Sequence, residues 1–104
     1  MNINNEIWEY AKSAGLDWIA TGGGCDYVFK AFPSGAQAII ASQICGESPE
    51  TINEACDVVF YSSDEWLAEN YVLRSCRTVR EAVDLLADLT DFGLSFNSKK
   101  WGKL

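Results

Sequence analysis

The sequence predicts an α+β fold: an antiparallel sheet of about four strands in a meander, with two main helices packed on one face. Three observations carry this expectation. Apolar residues recur at helical spacing in two segments, apolar-rich stretches of strand length lie between those segments, and the connections are short. The order helix, strands, helix then suits a sheet covered on one side. A chain of 104 residues has material for one core, so 1–104 reads as a single domain.

Each element has its own signal. Ile7, Trp8, Ala11 and Ala14 share one helical face, which predicts a first helix over 4–14 with Gly15 as its stop. Residues 16–20 read as a strand. Residues 25–32 read as a second, with Cys25, Tyr27, Phe29 and Ala31 on one face and Asp26, Val28, Lys30 and Phe32 on the other. Apolar residues on both faces mark this strand as central. Pro33 and Gly35 supply a turn before a third strand over 36–42. A polar excursion with a turn or short helix at 49–55 leads into the strongest strand signal, 57–62.

Ser63 precedes Asp64 and Glu65, whose charges suit a helix N-terminus, so 63–70 reads as a short helix. Thr78 and Glu81 fit a capping box. Val79, Ala82, Val83, Leu86 and Leu89 follow as the apolar stripe of a second main helix over 78–89. The tail at 91–104 mixes Phe92, Leu94, Phe96 and Trp101 with three lysines and is either a docked segment or a frayed end. Trp8, Trp18, Tyr27, Phe29, Phe32, Phe60 and Tyr61 are the aromatic core candidates.

The chemistry-bearing patterns are sparse. Phosphate loops lead their glycines into a helix, whereas "TGGGC" at 21–25 leads into a strand and lacks the GxGxxG spacing, so a hairpin turn is expected. Cys25 after that loop is a candidate nucleophile, but the chain has no histidine to serve as its base. Asp26 and Lys30 could replace one only in an unusual arrangement, and alternation with Tyr27 and Phe29 places Cys25 in the core. Cys25, Cys45, Cys56 and Cys76 lie 20, 11 and 20 residues apart with no CxxC pair, so no metal site is expected and buried free thiols are. No cofactor is expected, and the chain reads as a non-enzyme.

The apolar runs fall well short of the roughly 20 residues a membrane span needs, and the acidic, amphipathic start lacks a signal-peptide pattern. A cytoplasmic protein is the expectation. Net charge is −7, and it is unevenly spread: residues 1–73 carry eleven acidic and two basic side chains. Glu47, Glu50, Glu54, Asp57, Asp64, Glu65 and Glu69 follow one another with no basic residue between. Direct nucleic-acid binding is disfavoured, since phosphate recognition rests on clusters such as Arg74, Arg77 and Arg80 or Lys99, Lys100 and Lys103, which are few here. An acidic strip attracts basic surfaces instead, and Tyr61, Trp66 and Tyr71 beside it would supply aromatic anchors. The alternative is a solvated face that provides solubility.

The runs "AGLDWIATGGGCDYVFKAF", "GAQAIIAS", "SPETINEACDVVFYSS" and "VREAVDLLADL" resemble those of small acidic phage and mobile-element proteins. In size, acidity and lack of catalytic residues the chain is similar in type to anti-CRISPR proteins. The resemblance implies an inhibitor that occludes the basic nucleic-acid site of a host nuclease or CRISPR effector. The predicted partner-binding residues are Glu47, Glu50, Glu54, Asp57, Asp64, Glu65, Trp66 and Glu69, on a monomer or homodimer. Two other readings stand beside it: an immunity or antitoxin-type partner of a basic toxin, and a small enzyme using Cys25 or a carboxylate pair.

Overall fold

The computed structural model describes residues 3–20, 26–33, 35–44, 47–61 and 70–89; for residues 70 and 71 it describes the backbone alone. The chain runs α1 (Asn5–Ser13), β1 (Asp17–Ala20), β2 (Asp26–Ala31), β3 (Gln37–Ser42), β4 (Cys56–Tyr61), β5 (Asn70–Cys76) and α2 (Val79–Asp88). All strand pairs are antiparallel and lie in the order β1-β2-β3-β4-β5. The expected α+β meander is therefore present, with five strands instead of about four.

Local chemistry sets the ends of the elements. Asn4 caps α1: its side-chain oxygen accepts from the Glu6 and Ile7 N–H groups at 2.8 and 3.2 Å. Gly15, at φ +84°, ends the helix in the left-handed region where a side chain is strained. The β2–β3 turn uses the same device: Gly35 sits at φ +95° and its N–H donates to the Phe32 carbonyl at 2.9 Å. Thr78 caps α2, its Oγ1 accepting from the Glu81 N–H at 3.2 Å. The 49–55 excursion forms turns, not a helix. Ala20 pairs with Asp26, so the glycine-rich 21–25 segment joins two neighbouring antiparallel strands, as a hairpin connection must.

Register decides which side chains meet the helices. Ala38 faces Phe60, Ile40 faces Val58 and Ser42 faces Cys56 across β3 and β4. Val28, Ala38, Ile40, Val58, Phe60, Cys56 and Cys76 join Ile7, Ala11 and the α2 stripe in one hydrophobic cluster. From α2 that cluster takes Val79, Ala82, Val83, Leu85 and Leu86, all fully buried. α1 lies against α2, where the Tyr10 hydroxyl donates to Asp84 Oδ1 at 2.8 Å and the Arg80 guanidinium stacks 5.1 Å from the Tyr10 ring centre.

Two sequence expectations are corrected here. On β2 the helix-covered face is the one bearing Val28, Lys30 and Phe32; Tyr27 and Phe29 lie on the opposite face and are only half-buried. Cys25, read as a core residue from the same alternation, lies outside the described residues. Of the aromatic core candidates, Phe32 and Phe60 are buried and Trp8 packs at the margin, while Trp18 is exposed on the short edge strand β1. The second correction is β5. A register shift between Val58 and Val59 inserts Leu73 between the paired positions Val72 and Arg74. The bulge breaks the period of two that would have announced a strand.

The expected helix over 63–70 lies outside the described residues except at Asn70, which begins β5. Leu86→Ala empties a fully buried site between helix and sheet and is expected to cost about 2–5 kcal/mol, whereas Thr78→Ala removes only a cap and costs about 1 kcal/mol. Urea unfolding of the two variants measures both.

Candidate protein-binding surface

The acidic residues that the structure describes gather on the β3–β4 connection, residues 43–55, and at the start of β4. Glu47 and Glu50 are exposed, and Glu54 and Asp57 are half-buried. Hydrogen bonds fix this connection at both ends. The Ser42 N–H donates to the Glu47 carbonyl at 2.6 Å, the Gln43 N–H donates to the Ala55 carbonyl at 3.3 Å, and Gln43 Nε2 bridges to the Cys56 carbonyl and to Asp57 Oδ1 at 3.2 and 3.0 Å. At its middle the Asn4 amide donates to the Glu50 carbonyl at 3.1 Å, and the Glu50 N–H donates to Glu54 Oε1 at 3.4 Å.

The core supplies the third anchor. Ile52 is buried and its carbonyl accepts from the Val79 N–H at 3.0 Å, so the connection is tied to the first residue of α2. A polar loop with a buried isoleucine at its centre is thus held against both helices. Among the described residues no basic side chain forms an ion pair with Glu47, Glu50, Glu54 or Asp57.

Sequence reasoning missed the apolar element of this surface. Ile44, two residues beyond β3, is 82% exposed, the most exposed large hydrophobic side chain described. Asp57 lies opposite Ala41 and Ser75 on the face turned away from the helices, which links the acidic connection to that face. There Ile39 and Ala41 are buried, Tyr27, Phe29, Val59 and Tyr61 are half-buried, and Val72 is 50% exposed. Antiparallel sheets commonly leave one face to solvent, but such faces are usually polar. No element among the described residues packs on this one.

Of the predicted partner-binding residues, the structure thus brings together Glu47, Glu50, Glu54 and Asp57. Asp64, Glu65, Trp66 and Glu69 lie outside the described residues, as do Cys25 and Cys45; Tyr61 is described on the open face. Lys30 is engaged elsewhere: its Nζ donates to the Ala87 and Leu89 carbonyls at 3.0 and 2.8 Å and caps the C-terminus of α2. Burial lowers its pKa, opposed by the nearby Asp88 carboxylate. Among the described residues no group of three or more metal-ligating side chains converges. No described helix is long and apolar enough to cross a membrane. No protein-family model, curated protein or solved structure matches the chain.

The two described cysteines are free and buried under α2. Burial, more than any neighbouring charge, pushes the Cys56 thiol up to about 12 and the Cys76 thiol up to about 11, against an ordinary 9.0. Both stay protonated in the folded chain while the unfolded chain releases their protons from about pH 9. The stability that depends on them is fully present below pH 9 and drains away as pH rises through 11 and 12. Unfolding free energies measured from pH 8 to 11 are expected to fall across this window, and to fall less steeply in Cys76→Ala.

Proposed function

We propose that the chain is a small inhibitory protein that acts by binding, seating its acidic β3–β4 connection on a basic nucleic-acid-binding surface of a host protein. A nuclease or CRISPR effector is the partner class that the sequence resemblance favours. The observation that supports this reading is the fixed connection itself. Glu47, Glu50, Glu54 and Asp57 are held by backbone and side-chain hydrogen bonds, without a described basic partner, beside the exposed Ile44. A preorganised acidic edge binds a cationic groove without the ordering cost that a floppy loop would carry.

The chemistry of such an interface has a division of labour. Carboxylates at the rim speed encounter and reject acidic competitors, whereas an apolar side chain that becomes fully desolvated slows release. Occupying the groove excludes nucleic acid by volume and by charge. This mode of action uses no catalytic residue.

Affinity capture from host lysate, followed by titration of the recovered partner, tests the proposal. Glu47→Lys combined with Glu50→Lys is expected to weaken binding roughly tenfold or more and to flatten its salt dependence. Ile44→Ala is expected to raise the dissociation rate while leaving the association rate nearly unchanged. Unchanged binding in the double charge reversal overturns the acidic-surface reading. Capture of a basic toxin in place of a nucleic-acid enzyme would keep the surface and replace the partner.

A further inference from the structure

The most reactive residue type in the chain occurs as a facing pair. Cys56 opens β4 and Cys76 closes β5, and the antiparallel register sets them directly opposite each other. Facing residues in an antiparallel pair have Cα atoms about 4.5–5.5 Å apart, inside the roughly 4.4–6.8 Å window that a disulfide needs. Both side chains lie on the helix-covered face, in the same hydrophobic cluster, and both are free thiols. The register and the shared face therefore place the two thiols where a cross-strand bond can form.

We propose that Cys56 and Cys76 form a thiol–disulfide couple that exchanges with low-molecular-weight disulfides of the glutathione class and, when oxidised, staples β4 to β5. A thiolate of one cysteine attacks a sulfur of the small disulfide, forming a mixed disulfide and expelling one small thiolate, which takes up the proton the cysteine gave up. The second cysteine then attacks the protein sulfur of that mixed disulfide and expels the other small thiol. The protein loses two protons and two electrons; the small disulfide gains both and leaves as two thiols. No group remains attached.

Cys76 is the entry point. It ends β5, an edge strand of the described sheet; Arg74 partly offsets the opposing charges of Glu81 and Asp57 there, whereas the charges acting on Cys56 all oppose ionisation. Cys56 Sγ points at the Thr78 carbonyl, 3.6 Å away. Oxidation removes that S–H donor, so the redox state is felt at the cap of α2. Because both thiols are buried, exchange needs the β5 end to open, and the couple answers to a sustained change in redox poise more than to a brief pulse of oxidant. The bond closes a loop around the nineteen intervening residues, among them the acidic residues Asp64, Glu65 and Glu69. Such a loop closure stabilises mainly by restricting the unfolded chain.

The full chain, equilibrated in glutathione buffers of graded oxidised-to-reduced ratio, acid-quenched, alkylated and digested, tests the couple by mass spectrometry. The expected product is a linked peptide joining Cys56 to Cys76, two hydrogens lighter than the reduced pair. The melting temperature of the oxidised protein is expected to be higher by about 10 °C, and a dithiol reductant reverses it. Cys56→Ser should abolish the linked peptide and leave a persistent glutathione adduct on Cys76. Should that variant fail to fold, Cys25→Ser with Cys45→Ser retains only the proposed couple and must still give the linked peptide. Bonds from Cys25 or Cys45 to either partner, adducts without a cross-link, or equal melting temperatures of the two forms overturn the proposal.

Discussion

The fold depends on the seat of α2 against one face of the sheet. Val79, Ala82, Val83, Leu85 and Leu86 are all completely buried there. A larger apolar side chain removed fully from water is worth about 1.5–3 kcal/mol, so the valines and leucines of this one helix contribute as much as the net stability of an ordinary domain, about 5–15 kcal/mol. The remaining elements are arranged to keep that seat closed. α1 braces α2 through Tyr10, Asp84 and Arg80, Lys30 reaches up from β2 to satisfy its last carbonyls, and Ile52 fills the space beneath its first turn. Removing the helix would expose the inner faces of β2, β3, β4 and β5 together.

What happens outside follows from that choice of face. A strand alternates with a period of two, so committing Val28, Ile40 and Val58 to α2 commits Tyr27, Phe29 and Val59 to the far side. The β3–β4 connection inherits its geometry in the same way. Ile52 must be buried and its carbonyl meets the Val79 N–H, which leaves Glu47 and Glu50 pointing into solvent. The core thus dictates the shape of the acidic edge even though none of the acids takes part in the core.

The sequence was legible where one period dominated. α1 and α2 stood out because their apolar residues recur at helical spacing, with Gly15 as the stop of the first and Thr78 with Glu81 opening the second. β3 and β4 stood out as unbroken apolar runs. β5 did not, because inserting Leu73 at the bulge gives the order exposed Val72, buried Leu73, half-buried Arg74, exposed Ser75, buried Cys76, which matches no simple alternation. The choice of face on β2 was illegible for a different reason. Both of its faces carry apolar residues, and the charged residues Asp26 and Lys30 fall on the helix-covered one, where Lys30 is long enough to lie along the sheet and donate to carbonyls at the end of α2. On the surface, Glu47, Glu50, Glu54 and Asp57 were readable as charge, but Ile44 was not, because a single isoleucine between a strand and a polar excursion carries no periodicity that would mark it as exposed.

That missed isoleucine matters to how the proposed surface would work. At physiological ionic strength the screening length is about 8 Å, so the carboxylates guide a basic partner only over the last few molecular contacts, and rim charges contribute mainly to the rate of encounter. Residence needs area that water leaves. Ile44 and Val72 are the exposed apolar side chains nearest in kind to that requirement, one beside the acids and one on the open sheet face, and Asp57 lies on the face that connects them. A partner that touched only the carboxylates would arrive quickly and leave quickly. Durable occlusion of a groove therefore asks the acidic connection and the apolar sheet face to be engaged together, with the charges setting the approach and the apolar contact setting the lifetime.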